Sequence, residues 1–250
     1  MYIPRDILKP YVRTLAISES EISSSYKVLP GTEIVIGFQY RGKLSYIDDN
    51  QNFPLTSSGM TGLNDSYRIF HNTNDTGTVL VFFKEGAASA FFKNPIHELF
   101  RESVSLDNFM LRSELLILEE KLRESRSDSN RVSLIEDFLV SKLNSGQEDL
   151  MVISAISMIY KSKGNIRIKD LAKSLHISQS PLEKRFRQKV GSSPKKFSSL
   201  VRFKNAISQY KPDMQLTDLS YEAGFYDQAH FIKEFRDFTG DSPEVFFGRK

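Results

Sequence analysis

Few side chains in this sequence have the types and spacing that enzyme or metal chemistry needs. The chain has no cysteine and four histidines, which excludes disulfides, thiolate metal sites and cysteine nucleophiles. His71 and His97 stand apart from the paired histidines and glutamate of metal-binding barrels, and His176 is interpreted as structural. No glycine-rich phosphate loop or serine–histidine–aspartate arrangement occurs. We therefore predict no catalytic residue, no metal site and no cofactor.

Cationic and amide side chains recur within a duplicated unit near the C-terminus. One copy runs from Asp170 to Pro194 and the other from Asp218 to Pro243, with matching residues offset by 48 and then by 49 positions. The one extra residue falls in a turn, where an insertion is tolerated. Because the second segment of each copy has apolar residues at spacings of three and four, each copy predicts two helices joined by a tight turn.

The ends of the second helix in each copy are marked by residues that suit helix termini. Ser178 and Asp227 can accept hydrogen bonds from the first free N–H groups. Gly191 and Gly240 suit a left-handed terminus, and a proline follows three residues later in both copies. Between these ends, the face opposite the apolar residues is long, polar and cationic, as base edges and flanking phosphates require.

Composition is that of a water-soluble chain with a charge asymmetry. Residues 151–250 carry 18 lysines and arginines against 10 aspartates and glutamates, whereas the first 150 carry 16 against 21. A basic C-terminal part joined to an acidic N-terminal part indicates that only the former meets a polyanion. No apolar run reaches the roughly 18 residues of a membrane span, and the first residues lack the layout of a secretory signal.

The elements that must position the duplicated unit predict an α+β chain. Residues 33–40, 43–48 and 78–83 are rich in β-branched and aromatic residues and are separated by turns, which favours an antiparallel barrel or sandwich over residues 1–105. We expect a cupin-like antiparallel β barrel acting as a sensor, with aromatic side chains in its core. Residues 150–250 form the all-α double helix-turn-helix domain, after a polar boundary at 144–149.

A helical hairpin is predicted between these two parts, over residues 106–145. Its apolar residues recur at spacings of three and four residues. Two interpretations stand side by side: the apolar stripe covers the chain's own barrel, or it contacts a second copy. The candidate dimerisation residues are Leu111, Leu115, Leu118, Leu122 and Leu139.

The C-terminal sequence resembles the DNA-binding domain of AraC/XylS-type transcriptional regulators. The resemblance is carried by Leu171–Ser178, by Ala223–Phe235 with its Ala-Gly-Phe-Tyr-Asp-Gln-Ala-His-Phe run, and by Phe238–Pro243. It covers about residues 150–248, and the N-terminal half more faintly resembles the sensor domains of such regulators. The resemblance implies two recognition helices in successive major-groove segments, held apart by a connecting helix at 194–210.

Site residues follow from the resemblance by position. It implies base contacts from Gln179, Ser180, Lys184, Gln228, Ala229, His230 and Lys233. Phosphate contacts are expected from Arg187, Lys195, Lys196, Arg202, Lys204 and Arg236. The sequence departs from the pattern because alanine at 229 and proline at 181 offer no side-chain donor. No ligand-contacting residue is assigned.

The resemblance also implies the partners of a sequence-specific transcription regulator. These are double-stranded DNA, a small-molecule effector, a second copy of the chain and RNA polymerase. The expected location is the cytoplasm of a bacterium, with no membrane partner. Both activation and repression of transcription fit the resemblance. Two alternatives are a ligand- or partner-binding protein whose helical domain no longer binds DNA, and a barrel enzyme with an accessory helical domain. The retained cations at 184, 187, 233 and 236 argue against the first. DNA-repair alkyltransferases with such helices need a cysteine, which this chain lacks.

Overall fold

The N-terminal part consists of antiparallel β-strands in a computed structural model that describes residues 1–49, 51–92, 95–144 and 149–248. The strands are β1 Val12–Ser20, β2 Ser24–Val28, β3 Val35–Arg41, β4 Leu44–Asp48, β5 Gln51–Pro54, β6 Ser58–Thr61, β7 Arg68–Asn72, β8 Thr76–Phe83 and β9 Ser103–Ser105. Short 3-10 helices span Asp6–Leu8, Ala87–Ala90, Ile96–Leu99 and Leu106–Asn108. The three strands predicted from sequence correspond to β3, β4 and β8.

The strands form two separate sheets, which corrects the predicted barrel to an open arrangement. One sheet has the order β1-β8-β3-β6-β9 and the other β2-β7-β4-β5. The central strands of the first sheet are in register, so that Ile36 lies opposite Met60 on one side and Val81 on the other. No described strand pairs with strands of both sheets. The edge strands are β1 and β9 in the first sheet and β2 and β5 in the second, and none of them pairs with the other sheet.

The predicted helical hairpin is confirmed as α1 Arg112–Glu124 and α2 Asp128–Lys142. Ser127 begins α2 by accepting a hydrogen bond from the Asn130 N–H. The hairpin packs against the first sheet, where the rings of Phe38 and Phe138 meet edge to face with centroids 6.0 Å apart.

The C-terminal part contains only helices among the residues described. They are α3 Leu150–Lys161, α4 Ile168–Ser174, α5 Gln179–Val190, α6 Pro194–Gln209, α7 Leu216–Glu222, α8 Gln228–Thr239 and α9 Pro243–Phe246. The pairs α4–α5 and α7–α8 are the two predicted helix-turn-helix units, and α6 is the predicted connecting helix. Pro194 and Pro243 open α6 and α9, where a missing N–H costs nothing.

Buried apolar residues of the two parts pack together. The buried residues form one continuous cluster from Leu8 in the N-terminal part to Phe238 in α8. Four residues of the predicted boundary, 145–148, lie outside the described residues. None of the helices in the described ranges has both the length and the apolarity for a membrane span.

Candidate nucleic-acid interface

Each unit anchors its second helix by one apolar face. In α5, Leu182, Phe186 and Val190 are buried, as the spacing predicted. In α8 the same role falls to Phe231, Phe235 and Phe238. These side chains fix the rotation of both helices about their own axes, and hence which residues face outward.

The turn before each second helix uses the left-handed backbone region. His176 and Gly224, which match at an offset of 48, have φ of +52° and +82°. A side chain at Gly224 would overlap Asn165, whereas the His176 side chain is exposed. The sequence analysis interpreted His176 as structural, but it did not predict the left-handed backbone conformation of this residue.

The two helices differ at their first residue. Asp227 accepts a hydrogen bond of 2.7 Å from the His230 N–H, as predicted. Ser178 makes no side-chain cap bond, so the expected cap is missing in the first unit. Both helices end as predicted, at Gly191 and Gly240 with φ of +99° and +78°.

The residues predicted to read bases lie on the outward faces of α5 and α8. Gln179, Ser180, Lys184, Ala229, His230 and Lys233 are exposed. Gln228 is half-buried, and its Oε1 accepts a hydrogen bond of 3.0 Å from Thr217. His230 lies 3.8 Å from Glu234 in its own helix. Neither Lys184 nor Lys233 has an ion-pair partner among the described residues, so both cations remain available to a polyanion.

The residues predicted to face phosphates fall into two groups. Arg187, Lys195 and Arg236 are exposed, and Arg187 pairs within α5 with Glu183 at 2.9 Å. The other three side chains form ion pairs with carboxylates of this chain. Lys196 pairs with Asp65 at 2.8 Å, Lys204 with Glu33 at 3.3 Å, and Arg202 with Glu234 at 2.9 Å.

The N-terminal part supplies the acidic partners of two lysines of the connecting helix, Lys196 and Lys204. The Asp65 side chain is 5% exposed and also pairs with Arg101 at 2.5 Å. Burial opposes ionisation of Asp65, but the hydrogen bonds from Arg101 and Lys196 outweigh it, so the pKa of this carboxyl lies below its ordinary value. Sequence reasoning missed Asp65 and Glu33 because no periodic pattern marks a carboxylate whose ion-pair partner lies far away in the sequence.

A cavity of about 390 Å³ opens between the two sheets. Its lining is mainly apolar and includes Val35, Leu44, Met60 and Phe82. Arg68 lines it too, donating hydrogen bonds to Ser103 Oγ and to the Arg101 carbonyl, both at 2.6 Å. Burial lowers the pKa of this guanidinium. Within the described ranges, no carboxylate lies at ion-pair distance from Arg68, and no group of three potential metal ligands occurs.

Four of the five candidate dimerisation residues lie in the chain's own core. Leu115, Leu118, Leu122 and Leu139 are at most 5% exposed, whereas Leu111 is 68% exposed. The interpretation in which the hairpin covers its own sheets therefore accounts for these four. Two further apolar residues of α1, Leu116 and Ile117, are exposed, and the sequence pattern did not single them out.

Two sequence families match different parts of the chain. A family described as a helix-turn-helix domain matches residues 171–249, and a domain of unknown function, DUF6597, matches residues 1–105. The Msm operon regulatory protein of Streptococcus mutans is 33% identical over 120 residues, which are 46% of this chain and 42% of that protein. The chain thus spans less than half the length of this relative.

Solved structures resemble the chain in fold. ToxT from Vibrio cholerae superposes with a TM-score of 0.50 at 15% identity, covering 94% of this chain and 97% of ToxT. A probable AraC family transcriptional regulator from Rhodopseudomonas palustris has 25% identity and a TM-score of 0.36, covering 41% of this chain and all of its own. Together with the duplicated units, the helix-turn-helix family match and the Streptococcus mutans relative identify the C-terminal part as a double helix-turn-helix domain similar to that of AraC/XylS-type transcriptional regulators.

Proposed function

We propose that this protein is a sequence-specific DNA-binding transcription regulator that reads two successive major-groove segments. The observation that carries the proposal is the pair of matching helices, α5 and α8, whose outward faces present Lys184 and Lys233 without partners among the described residues. A recognition helix enters the major groove with the residues of its N-terminal half against base edges. The seven candidate base readers lie in that half of α5 or α8.

The test is binding of the full chain to DNA duplexes selected from a random-sequence pool. The affinity for selected duplexes should fall steeply with salt, by about 0.9 logarithmic units per phosphate neutralised and per tenfold rise in salt. Selected sequences should contain two conserved segments about one helical turn apart, because two recognition helices on one face of the duplex are separated by about 34 Å. Failure to enrich any sequence, or an affinity insensitive to salt, contradicts the proposal.

The exposed phosphate candidates, Arg187, Lys195 and Arg236, fit this proposal directly. Lys196, Lys204 and Arg202 fit it only if they exchange their carboxylate partners for DNA. Alanine variants of the two sets distinguish these roles, since a phosphate contact weakens binding to all sequences alike. We expect the first set to lower the salt slope by about one unit per residue.

We propose that the cavity between the sheets binds a small-molecule effector and that the N-terminal part does not act as an enzyme. A mainly apolar cavity with one convergent cation has the character of a ligand site, and the guanidinium of Arg68 suits an acidic or carbonyl group. Compounds that raise the melting temperature of the wild type and not of Arg68→Gln would identify such ligands. Reproducible turnover of a compound that binds there would favour the enzyme alternative.

The remaining partners follow from the regulator proposal. A regulator of this type acts where the bacterial chromosome is, in the cytoplasm, and acts there on RNA polymerase. The hairpin is the candidate contact with a second copy, through the exposed residues Leu111, Leu116 and Ile117 of α1. Crosslinking of the full chain to RNA polymerase on a selected duplex tests the polymerase contact, and no crosslink above a non-specific duplex opposes it.

A further inference from the structure

One short segment of the N-terminal part lines the cavity on one side and contacts the helical part on the other. Residues 62–67 run between β6 and β7 and so pass from one sheet to the other, and Arg68 begins β7. The side chains of Asn64, Ser66 and Arg68 line the cavity. The intervening residues, Leu63, Asp65 and Tyr67, contact the helical part instead. The segment therefore lies between the cavity and the DNA-binding domain, with alternate residues on either side of it.

The outward residues of this segment contact both helix-turn-helix units. A Cβ at Gly191, at the end of α5, would lie 3.7 Å from Leu63 Cδ1, and Asp65 pairs with Lys196 close by. A Cβ at Gly240, at the end of α8, would overlap the ring of Tyr67. Because Gly191 and Gly240 are matching residues of the duplicated unit, the segment touches the same point of both recognition helices.

Lys27 strengthens the contact with the second unit. Its Nζ lies 2.6 Å from Asp241, donates a hydrogen bond of 2.9 Å to the carbonyl of Thr239, and sits 4.6 Å from the centre of the Tyr67 ring. Thr239 is the last residue of α8, where the helix dipole favours a cation. The strand neighbours of Lys27, Tyr26 and Val28, line the cavity, so the alternation of the two faces recurs here.

The second unit is held by contacts inside the helical part and by a separate contact with the N-terminal part. The connecting helix α6 packs on α8 through Phe203, whose ring centroid is 5.4 Å from that of Phe235. The chain between α6 and α7, residues 210–215, belongs to no helix, but the Tyr210 ring stacks on Phe247 with centroids 3.7 Å apart. The segment 63–67 with Lys27 adds a contact from the N-terminal part, which touches both units and so bears on the angle between them.

We propose that Leu63–Tyr67 and Lys27 are positioning residues for DNA reading, which set the distance and angle between α5 and α8 and thereby the spacing of the two DNA segments. The inference rests on the proposed DNA-reading function. One inserted base pair moves the second segment by about 3.4 Å along the duplex and by about 34° around it. A rigid pair of recognition helices should therefore lose affinity for the duplex with the inserted base pair. A pair whose relative orientation is less constrained should lose less affinity for it.

The experiment compares two duplexes with each full-length variant. One duplex is selected from a random pool by the wild type, and the other has one base pair inserted between its two conserved segments. The variants are Tyr67→Ala, Lys27→Glu, the charge exchange Lys27→Glu with Asp241→Lys, and the control Lys43→Glu. Lys43 is exposed and makes no ion pair among the described residues. The ratio of the two affinities is read from one preparation, so an inactive fraction does not change it.

We expect the wild type and Lys43→Glu to prefer the selected duplex by about tenfold or more, as for loss of one good base contact. Tyr67→Ala and Lys27→Glu should reduce that preference by about threefold, the scale of a partly exposed ion pair, and the charge exchange should restore it. An unchanged ratio in both single variants, or an equal change in Lys43→Glu, overturns this inference alone. A wild type that selects no duplex overturns the proposed function together with it.

Discussion

Lys184 and Lys233 occupy matching positions in α5 and α8, each five residues after a glutamine near the start of its helix. Both are exposed, and neither has an ion-pair partner within the described ranges. A lysine in this place can reach a guanine edge or a phosphate beside it. Their neighbours Glu183 and Glu234 are engaged with Arg187 and Arg202, which leaves the two lysines as the free cations at these positions.

We predict that Lys184→Ala weakens one DNA segment and Lys233→Ala the other. A base contact costs about 1–3 kcal/mol of binding free energy and relaxes the preference at one position. Footprinting and competition between point-substituted duplexes separate the two effects, with Lys43→Ala as the control for loss of an exposed lysine. If both variants protect the same DNA with unchanged affinity, other residues read the bases.

A second prediction at this scale concerns Asp65 and pH. Its pKa lies below its ordinary value in the folded chain, so the carboxylate stabilises the fold above the unfolded pKa of about 3.9 and that stabilisation is lost as pH falls through the folded pKa. Asp65→Asn should lower the unfolding free energy at neutral pH by about 1–2 kcal/mol, less than for a fully buried pair because both cationic partners are partly exposed.

The measurement is chemical unfolding of Asp65→Asn and wild type between pH 7 and pH 3. The difference should shrink towards the acid end, where the wild-type carboxylate also loses its charge. Glu124→Gln is the matched control, because Glu124 is exposed and forms no ion pair among the residues described. A difference that stays constant with pH would mean that charge at Asp65 does not matter.

At the scale of elements, the two helix-turn-helix units are not equivalent. The units share their buried faces, their left-handed turns and their terminal glycines, but only α8 has a side-chain cap at its start. The cap satisfies one of the free N–H groups of the first turn. In the first unit, α5 packs on the connecting helix, where the rings of Phe186 and Phe197 meet with centroids 5.4 Å apart.

We therefore predict different costs for the same substitution in the two units. Asp227→Ala removes the cap and should lower the unfolding free energy by about 1 kcal/mol. Ser178→Ala, at the matching position, removes no hydrogen bond and should cost only a few tenths. Thermal unfolding of both full-length variants tests this, and equal losses would contradict it.

At the scale of the whole molecule, α1 has an inner face in the core and an outer face with exposed Leu111, Leu116 and Ile117. We predict that the full chain is a dimer through this outer face. Ile117→Glu should then shift sedimentation from dimer to monomer without unfolding the chain, because the side chain is exposed in the single chain. Leu118→Glu, one residue later, should unfold the chain, since it places a charge in the core.

Sedimentation at micromolar concentration decides between the interpretations of the hairpin. A wild type that is monomeric both free and on DNA would leave the exposed residues without a role in dimerisation. The hairpin would then serve only to cover the first sheet, as its four buried leucines indicate.

The sequence by itself determined the helix-turn-helix units, because their signals are local. Apolar spacing, a turn glycine and a terminal glycine act over one or two helical turns, and α4, α5, α7 and α8 formed where these signals lie. The antiparallel strands were predictable for the same reason. Their division into two open sheets was not, since pairing depends on partners far apart in sequence.

Only the tertiary structure decided which charged residues meet. Lys204 and Glu33 are 171 residues apart, and Lys27 and Asp241 are 214 apart. An exposed cation on a helix has the same sequence pattern whether it meets a phosphate or a carboxylate of another part of the chain. The packing of the N-terminal sheets on both units made that choice for Lys196 and Lys204, because it placed Asp65 and Glu33 within reach of the connecting helix.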